Sequence, residues 1–401
     1  MNNFGSVVAL FQGGSGDPRT AAERLGDLLE WYGAVGDLAS GNPRGFATRK
    51  ASLAHALART AERPDDERHA VALAGVLHAV GALENPGLRK GEALPERLAR
   101  MERWDIPAQG ARLCARIAAL PHAVADLVRW QAERWDGTGY PDQLLWHNIP
   151  FAAHLLAIAD AALRCESLDD ALTTITEQSG RAFAPEAAML FLRWYHLAGG
   201  EEEPFEFPFT ALRAEATDPE ELLWEIAGRV DAHNGVPGRT RRIATLVEQT
   251  MRALPARDEE TAAALLAAAC HGTGELAAEE VEDARFDPLA RLGIDERVRN
   301  GRRAADLADL VPSLRPAVPI LRSRAEWFDG TGKPRGLARE AIPLGARVLS
   351  VAIAYEGLEA MRHRPASEAE QRPLERLQEA AGTQFDPEVV RAFTRAVRTP
   401  V

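Results

Sequence analysis

The segment Glu133-Arg134-Trp135-Asp136-Gly137-Thr138-Gly139-Tyr140-Pro141 returns in altered form as Glu326-Trp327-Phe328-Asp329-Gly330-Thr331-Gly332-Lys333-Pro334, 193 residues on. Leu77-His78-Ala79-Val80-Gly81 and Cys270-His271-Gly272-Thr273-Gly274 share that offset, so each His stands 55 residues before its Glu. A long-period repeat of this kind fixes the number of folding units before any local reading is made. The chain is one domain written twice, and 401 residues are enough for two domains of ordinary size.

Ala, Leu, Arg and Glu dominate while Tyr, Thr and Ile are sparse, which favours helix over sheet. Apolar periodicity predicts helices over 19–35, 50–62, 66–83, 94–104, 107–120, 122–135, 150–164, 168–179 and 185–198, with the series repeated in the second half. In the third, Gly81 is read as the helix end. The run Asp136–Pro141 is a breaker cluster and therefore a loop. The expected organisation is a Gly-rich lead-in at 1–18, a first domain at 19–198, a linker at 199–218 and a second domain at 219–401. Phe205, Phe207 and Phe209 alternate within the linker and predict a short extended segment docked on a core.

The Glu-x-x-Asp-Gly-Thr-Gly-Tyr-Pro loop, following a helix and preceded by a Leu-His-x-x-Gly helix, resembles the HD-GYP domain. The likeness extends to Ile149-Pro150 and Ile342-Pro343, to the helices 155–160 and 348–353, and to the tails 180–186 and 382–388. It implies an all-α fold of two tandem HD-domain-like helical bundles related by duplication. It also implies hydrolysis of cyclic di-GMP at two or three metal ions held by His and Asp. Such ions need several convergent N and O ligands to polarise a phosphodiester and generate hydroxide.

Most of those implied ligands are missing. His78 and His271 match the first His of the motif, but the adjacent Asp is Ala79 in one copy and Gly272 in the other. The position before Pro107 is Ile106, and an expected His-His pair is Gln131-Ala132 in one copy and Arg324-Ala325 in the other. The last Asp is Asp160 in the first copy and Ile353 in the second. Between His271 and His363 there is no histidine. The residual metal-site positions are therefore His78, Asp160 and His271, with no catalytic residue and no cofactor assigned. His154 and Asp160, six apart, do not share a helix face. The vacated centres are expected to be filled, with Asp160 hydrogen-bonded to Gln131 or His78.

The leading expectation is a catalytically inactive signalling or scaffold protein acting through protein contacts. Its rival is a metal-dependent phosphodiesterase using the first domain with iron or manganese. A diguanylate cyclase domain is the partner class the resemblance implies, and a cyclic dinucleotide is the candidate ligand. The expected contact surface is the two loops: Glu133, Trp135, Asp136, Gly137, Gly139, Tyr140 and Pro141, with Glu326, Asp329, Gly330, Gly332, Lys333 and Pro334. All four glycines are expected to serve positive φ, and both Asp residues to cap the turn. Arg324, Arg335 and Arg347 are candidate phosphate-binding residues. A net charge of −12 argues against nucleic acid. The absence of a long apolar run argues against a membrane span. Three unpatterned cysteines and the lack of a signal sequence point to the cytoplasm.

Overall fold

The computed structural model describes residues 20–85, 105–198, 206–276, 296–361 and 373–398, and these form two compact helical units divided between Asp218 and Pro219. The expected helix at 94–104, the lead-in at 1–18 and Phe205 lie outside the described residues. Among those that are described there is no strand, only isolated bridges such as Asp136 to Leu145.

The first unit runs through α1 (Ala21–Ser40), α2 (Phe46–Thr60), α3 (Asp65–Val76), α4 (Asp105–Cys114), α5 (Ala123–Trp130), α6 (Phe151–Leu163), α7 (Leu168–Glu177) and α8 (Pro185–Ala198). Thr20 starts α1 with a reciprocal cap: its Oγ1 accepts from Glu23 N at 3.2 Å, and Glu23 Oε2 accepts from Thr20 N at 2.6 Å. The helix runs to Gly41, whose φ of 77° closes it, five residues beyond the expected end. Leu25, Leu28, Leu29 and Tyr32 are buried on its inner face. Helix α2 lies against α3 and α6, and α4 against α5.

Gly81 does not end a helix. Helix α3 stops at Val76, and Gly81 lies in a short 3-10 turn, Val80–Glu84. A Cβ there would stand 2.0 Å from Ile106 O, so glycine is required by close backbone approach.

The described part of the expected linker belongs to the first unit. Phe207 is buried and stacks near Phe209 with ring centroids 5.1 Å apart. A Cβ on Gly26 of α1 would meet Phe209 at 2.4 Å, so the missing side chain makes room for that ring. Arg213 N donates to Ala119 O at 3.0 Å, and Thr217 Oγ1 accepts from Ala119 N at 3.0 Å.

The second unit repeats the plan with α9 (Pro219–His233), α10 (Arg239–Arg252), α11 (Asp258–Cys270), α12 (Glu296–Ala308), α13 (Val318–Ser323), α14 (Leu344–Met361), α15 (Pro373–Glu379) and α16 (Pro387–Arg398). Helix α10 packs on α11 and α14, as α2 packs on α3 and α6. Ile243, Val247, Leu265, Leu349 and Phe393 form its centre.

Candidate functional site

In the first unit His78 follows α3, with 6% of its surface exposed. Its Nδ1 lies 3.0 Å from Gly75 O, which makes Nδ1 the protonated nitrogen. Nε2 then accepts from Asn42 Nδ2 at 3.2 Å. Burial, followed by the charge of Lys50, pushes the imidazole pKa well below its ordinary value, so the ring is neutral.

The centre beside it holds a cation supplied by the chain. Lys50 of α2 has only 3% of its side chain exposed. Its Nζ donates to Gln131 Oε1 at 2.8 Å and to Asp160 Oδ1 at 3.0 Å. Gln131 Nε2 donates to His78 O at 2.9 Å, which orients the amide. Arg164 Nε donates to Asp160 Oδ2 at 2.7 Å, one turn along α6. Burial acts to raise the Asp160 pKa, but Lys50 and Arg164 outweigh it and hold the carboxyl well below the usual carboxylate range. The expected partners of Asp160, Gln131 and His78, are thus replaced by Lys50 and Arg164. A half-buried carboxylate gains more from a full counter-charge than from a neutral donor.

The sequence pattern carries a signal for Lys50 that the family resemblance does not. Phe46, Ala47, Lys50, Ala51, Ala54 and Leu57 recur at three- and four-residue spacing, so one lysine sits on the apolar stripe of α2. Asp37 is a second such residue. Its Oδ2 accepts from Ala47 N at 2.7 Å and caps α2, whose Gly45 N-cap has no side chain. Burial pushes the Asp37 carboxyl up to about 6, against the opposing bonds from Ala47 and Asn42. Asp231 does the same for α10, accepting from Thr240 N at 2.7 Å.

In the second unit His271 is fully buried, with Nδ1 2.6 Å from Ala268 O. Its Nε2 has no hydrogen-bond partner among the described residues. Burial, reinforced by the charge of Arg324, lowers its pKa to about 3. The positions matching Lys50 and Asp160 are Ile243 and Ile353. The position matching Gln131 is Arg324, whose Nη1 donates to His271 O at 3.3 Å. The expectation that both vacated centres are filled fails here: a cavity of about 790 Å³ opens beside Arg324, Ile353 and Phe385. Ile353, at the position of Asp160, lines that cavity.

The two loops share one construction. Glu133 and Glu326 are buried rather than displayed, which corrects their assignment to a contact surface. Glu133 accepts from Asp142 N at 2.6 Å and Leu144 N at 3.0 Å; Glu326 accepts from Arg335 N at 2.8 Å and Leu337 N at 3.1 Å. Asp136 and Asp329 each accept from the N–H two residues on, at 3.0 Å and 2.9 Å. Gly137 and Gly330 take the positive φ, 75° and 87°. Gly139 and Gly332 do not: a Cβ there would lie 2.2 Å from Arg134 N or 2.0 Å from Trp327 N, so contact and not φ demands glycine. Tyr140-Pro141 and Lys333-Pro334 are both cis.

Trp135 packs edge-on to His147, with centroids 4.9 Å apart, and lies 5.7 Å from His154. Tyr140 and Pro141 are half-buried, whereas Lys333 and Pro334 are exposed. The exposed apolar tip of the first loop is Leu145 (43%) and Trp146 (59%), not Tyr140. The matching second-loop residues are Ala338 and Arg339.

Of the three candidate phosphate-binding arginines, only Arg324 lines the cavity. Arg347 is committed to an ion pair with Asp386. Arg335 Nη2 donates to Ser323 Oγ at 2.7 Å. The first-unit counterparts of Arg347 and Asp386 are His154 and Ala184, so the pair is lost together. His154 is buried with both ring nitrogens unpartnered among the described residues, and burial lowers its pKa to about 4.

The residues do not fit a di- or trinuclear metal centre. Among the described residues no group of three or more His, Cys, Asp or Glu is arranged to hold an ion. In the first unit the ammonium of Lys50 lies against Asp160. At about 4 Å and an effective dielectric near 20, it would repel a divalent cation by about 8 kcal/mol. Nor, among the described residues, is any helix long and apolar enough to cross a membrane.

A family model described as HD domain matches residues 34–182 and 230–389. A 3'3'-cGAMP-specific phosphodiesterase of Vibrio cholerae is 25% identical over 301 residues, covering 71% of this chain and 65% of its own length. A cyclic di-GMP phosphodiesterase response regulator of Xanthomonas campestris is 27% identical over 184 residues, 43% of this chain and 48% of that one. A cyclic di-GMP phosphodiesterase of Pseudomonas aeruginosa is 37% identical over 114 residues, 27% of each chain. The chain thus spans less than two thirds of the length of these curated relatives. Among solved structures, the crystal structure of a cyclic GMP-AMP-specific phosphodiesterase of Vibrio cholerae matches with a TM-score of 0.64 and 21% identity. That match covers 94% of this chain and 98% of that one, and shows a shared fold.

Proposed function

Because the chain belongs to the HD domain family over both of its units, we propose that it is a non-catalytic member serving cyclic-dinucleotide signalling as a sensor or scaffold. One observation carries this reading: Lys50 Nζ lies 3.0 Å from Asp160 and 2.8 Å from Gln131, a full positive charge against the one carboxylate among the residual metal-site positions. Hydrolysis of a phosphodiester at such a site draws its Lewis acid and its activated water from the metal. An ammonium supplies neither. In the second unit Ile243, Gly272, Ala325 and Ile353 leave His271 as a lone imidazole.

The phosphodiesterase names of the relatives support a cyclic dinucleotide as the ligand class. A protein partner, with a diguanylate cyclase domain as the candidate class, would meet the first loop at Leu145 and Trp146, where a large apolar side chain is displayed. The rival reading is a metal-dependent phosphodiesterase in the first unit, and it is favoured by the survival of His78 and Asp160. Purified protein supplied with iron(II) or manganese(II) and assayed against cyclic di-GMP and 3'3'-cGAMP separates the two. The expected result is no turnover and no stoichiometric metal. Turnover that His78→Ala abolishes would establish the rival.

A further inference from the structure

The 790 Å³ cavity lies wholly in the second unit, bordered by α10, α12, α14 and α15. It falls within the range of about 300–1,000 Å³ typical of small-molecule pockets, so it suits an organic ligand better than a lone ion. Its polar lining differs in how far each group is already used. Arg239 Nη1 is 3.0 Å from Glu275, and Arg239 Nε is 3.2 Å from Glu356. Arg376 faces Glu379 at 3.9 Å. Arg324 has no such partner: its one hydrogen bond runs from Nη1 to His271 O, and among the described residues no carboxylate lies within ion-pair distance.

Burial, with opposing help from Glu275, brings the Arg324 guanidinium down to about 10, so it remains charged at neutral pH. A half-buried cation without an ion-pair partner is costly, and the cost is relieved when an anion arrives. Among the described residues Nε and Nη2 make no hydrogen bond, and this planar fork matches a phosphate oxygen pair. The local backbone is cut to admit it. A Cβ on Gly301 of α12 would stand 3.2 Å from Arg324 Nε and 2.8 Å from Leu321 O. Ile353 and Phe385 contribute apolar lining to the same cavity.

We propose that this cavity binds a phosphodiester-bearing nucleotide, with Arg324 anchoring the phosphate and the apolar wall receiving the organic part. The proposal deepens the non-catalytic reading and rests on it for the ligand class. A protein cation then replaces the metal in both units: Lys50 is neutralised internally by Asp160, while Arg324 is left for a ligand.

The first unit supplies a clean test. Gln131 occupies the matching position and donates to His78 O at 2.9 Å, so Arg324→Gln can keep the bond to His271 O while removing the charge. Calorimetric titration with cyclic di-GMP, with 3'3'-cGAMP and with inorganic phosphate is expected to show saturable binding of a cyclic dinucleotide. R324Q should weaken it by about tenfold or more, the loss expected for one charge-assisted hydrogen bond, with the ligand-free melting temperature unchanged. R324K, which keeps the charge without the fork, covers the case in which R324Q folds poorly; a folded R324K that also binds more weakly supports the anchor. Binding of neither dinucleotide, equal affinity in a folded R324Q or R324K, or phosphate binding as tightly as the dinucleotide would each overturn the site. Turnover of bound ligand would sink the non-catalytic reading while leaving the anchor standing.

Discussion

The first unit places a neutral histidine near an ion pair of a buried lysine, Lys50, with the half-buried Asp160, braced by Gln131 and Arg164. The second has a neutral histidine, Ile243 and Ile353 at the positions matching Lys50 and Asp160, and an arginine lining a cavity. The surrounding helices repeat and the loop hydrogen bonds repeat, yet the centres differ in charge, closure and polarity. The helical frame is therefore compatible with centres of different charge and polarity. The same helical frame thus accommodates a paired lysine in one unit and an arginine facing a cavity in the other.

The largest effect should come from splitting the Lys50–Asp160 pair. Lys50→Ile leaves Asp160 with Arg164 alone and Gln131 Oε1 without its donor, and is expected to cost about 3 kcal/mol in chemical denaturation. The double variant Lys50→Ile/Asp160→Ile copies the second unit and should recover most of that loss, since an apolar pair often replaces a buried ion pair at little cost. A double variant as unstable as the sum of its singles would mean that the two centres are not interchangeable.

Acid sharpens the comparison next. His271 is lowered to about 3 in the fold, against about 6.5 in an unfolded chain, so the unfolded state binds the extra proton between those values. The stability it contributes is complete above about pH 6.5 and is lost as the pH falls toward 3. In the first unit Asp37, raised to about 6, acts with the opposite sign from about pH 6 down to 4 and offsets part of the loss from His78. His271→Asn, which keeps a donor for Ala268 O, should flatten the dependence of unfolding free energy on pH across this window. An unchanged slope would assign the acid sensitivity elsewhere.

The smallest effect on stability concerns the loops. Trp146 is 59% exposed where the second loop carries Arg339, and both take a φ near 54° (54° and 53°). Trp146→Arg transplants one loop tip onto the other and should change stability by less than about 0.5 kcal/mol. It should also reduce pull-down of diguanylate cyclase domains if the first loop is the docking surface. Retained capture with unchanged stability would move the contact off this loop.

The repeat, the helical class and the loss of the Asp beside each histidine were all legible in the sequence, because each rests on spacing or on residue identity. The loop was legible in part. Asp136 and Asp329 act locally, two residues from their partners, and were read correctly. Glu133 reaches nine and eleven residues ahead to Asp142 and Leu144, and it was mistaken for surface. Gly139 and Gly332 were assigned a positive φ, yet their need for glycine comes from a backbone segment folded over them.

What the one-dimensional pattern determined, then, is the set of groups available and the periodicity that builds helices. Which of those groups meet was decided by tertiary structure. Lys50 finds Asp160 across 110 residues, and Arg324 reaches the carbonyl of His271 across 53. Periodicity constrains neighbours within a turn or two, whereas the pairing of buried charges depends on how separate helices pack. That packing makes Lys50 an internal counter-ion and leaves Arg324 facing open space.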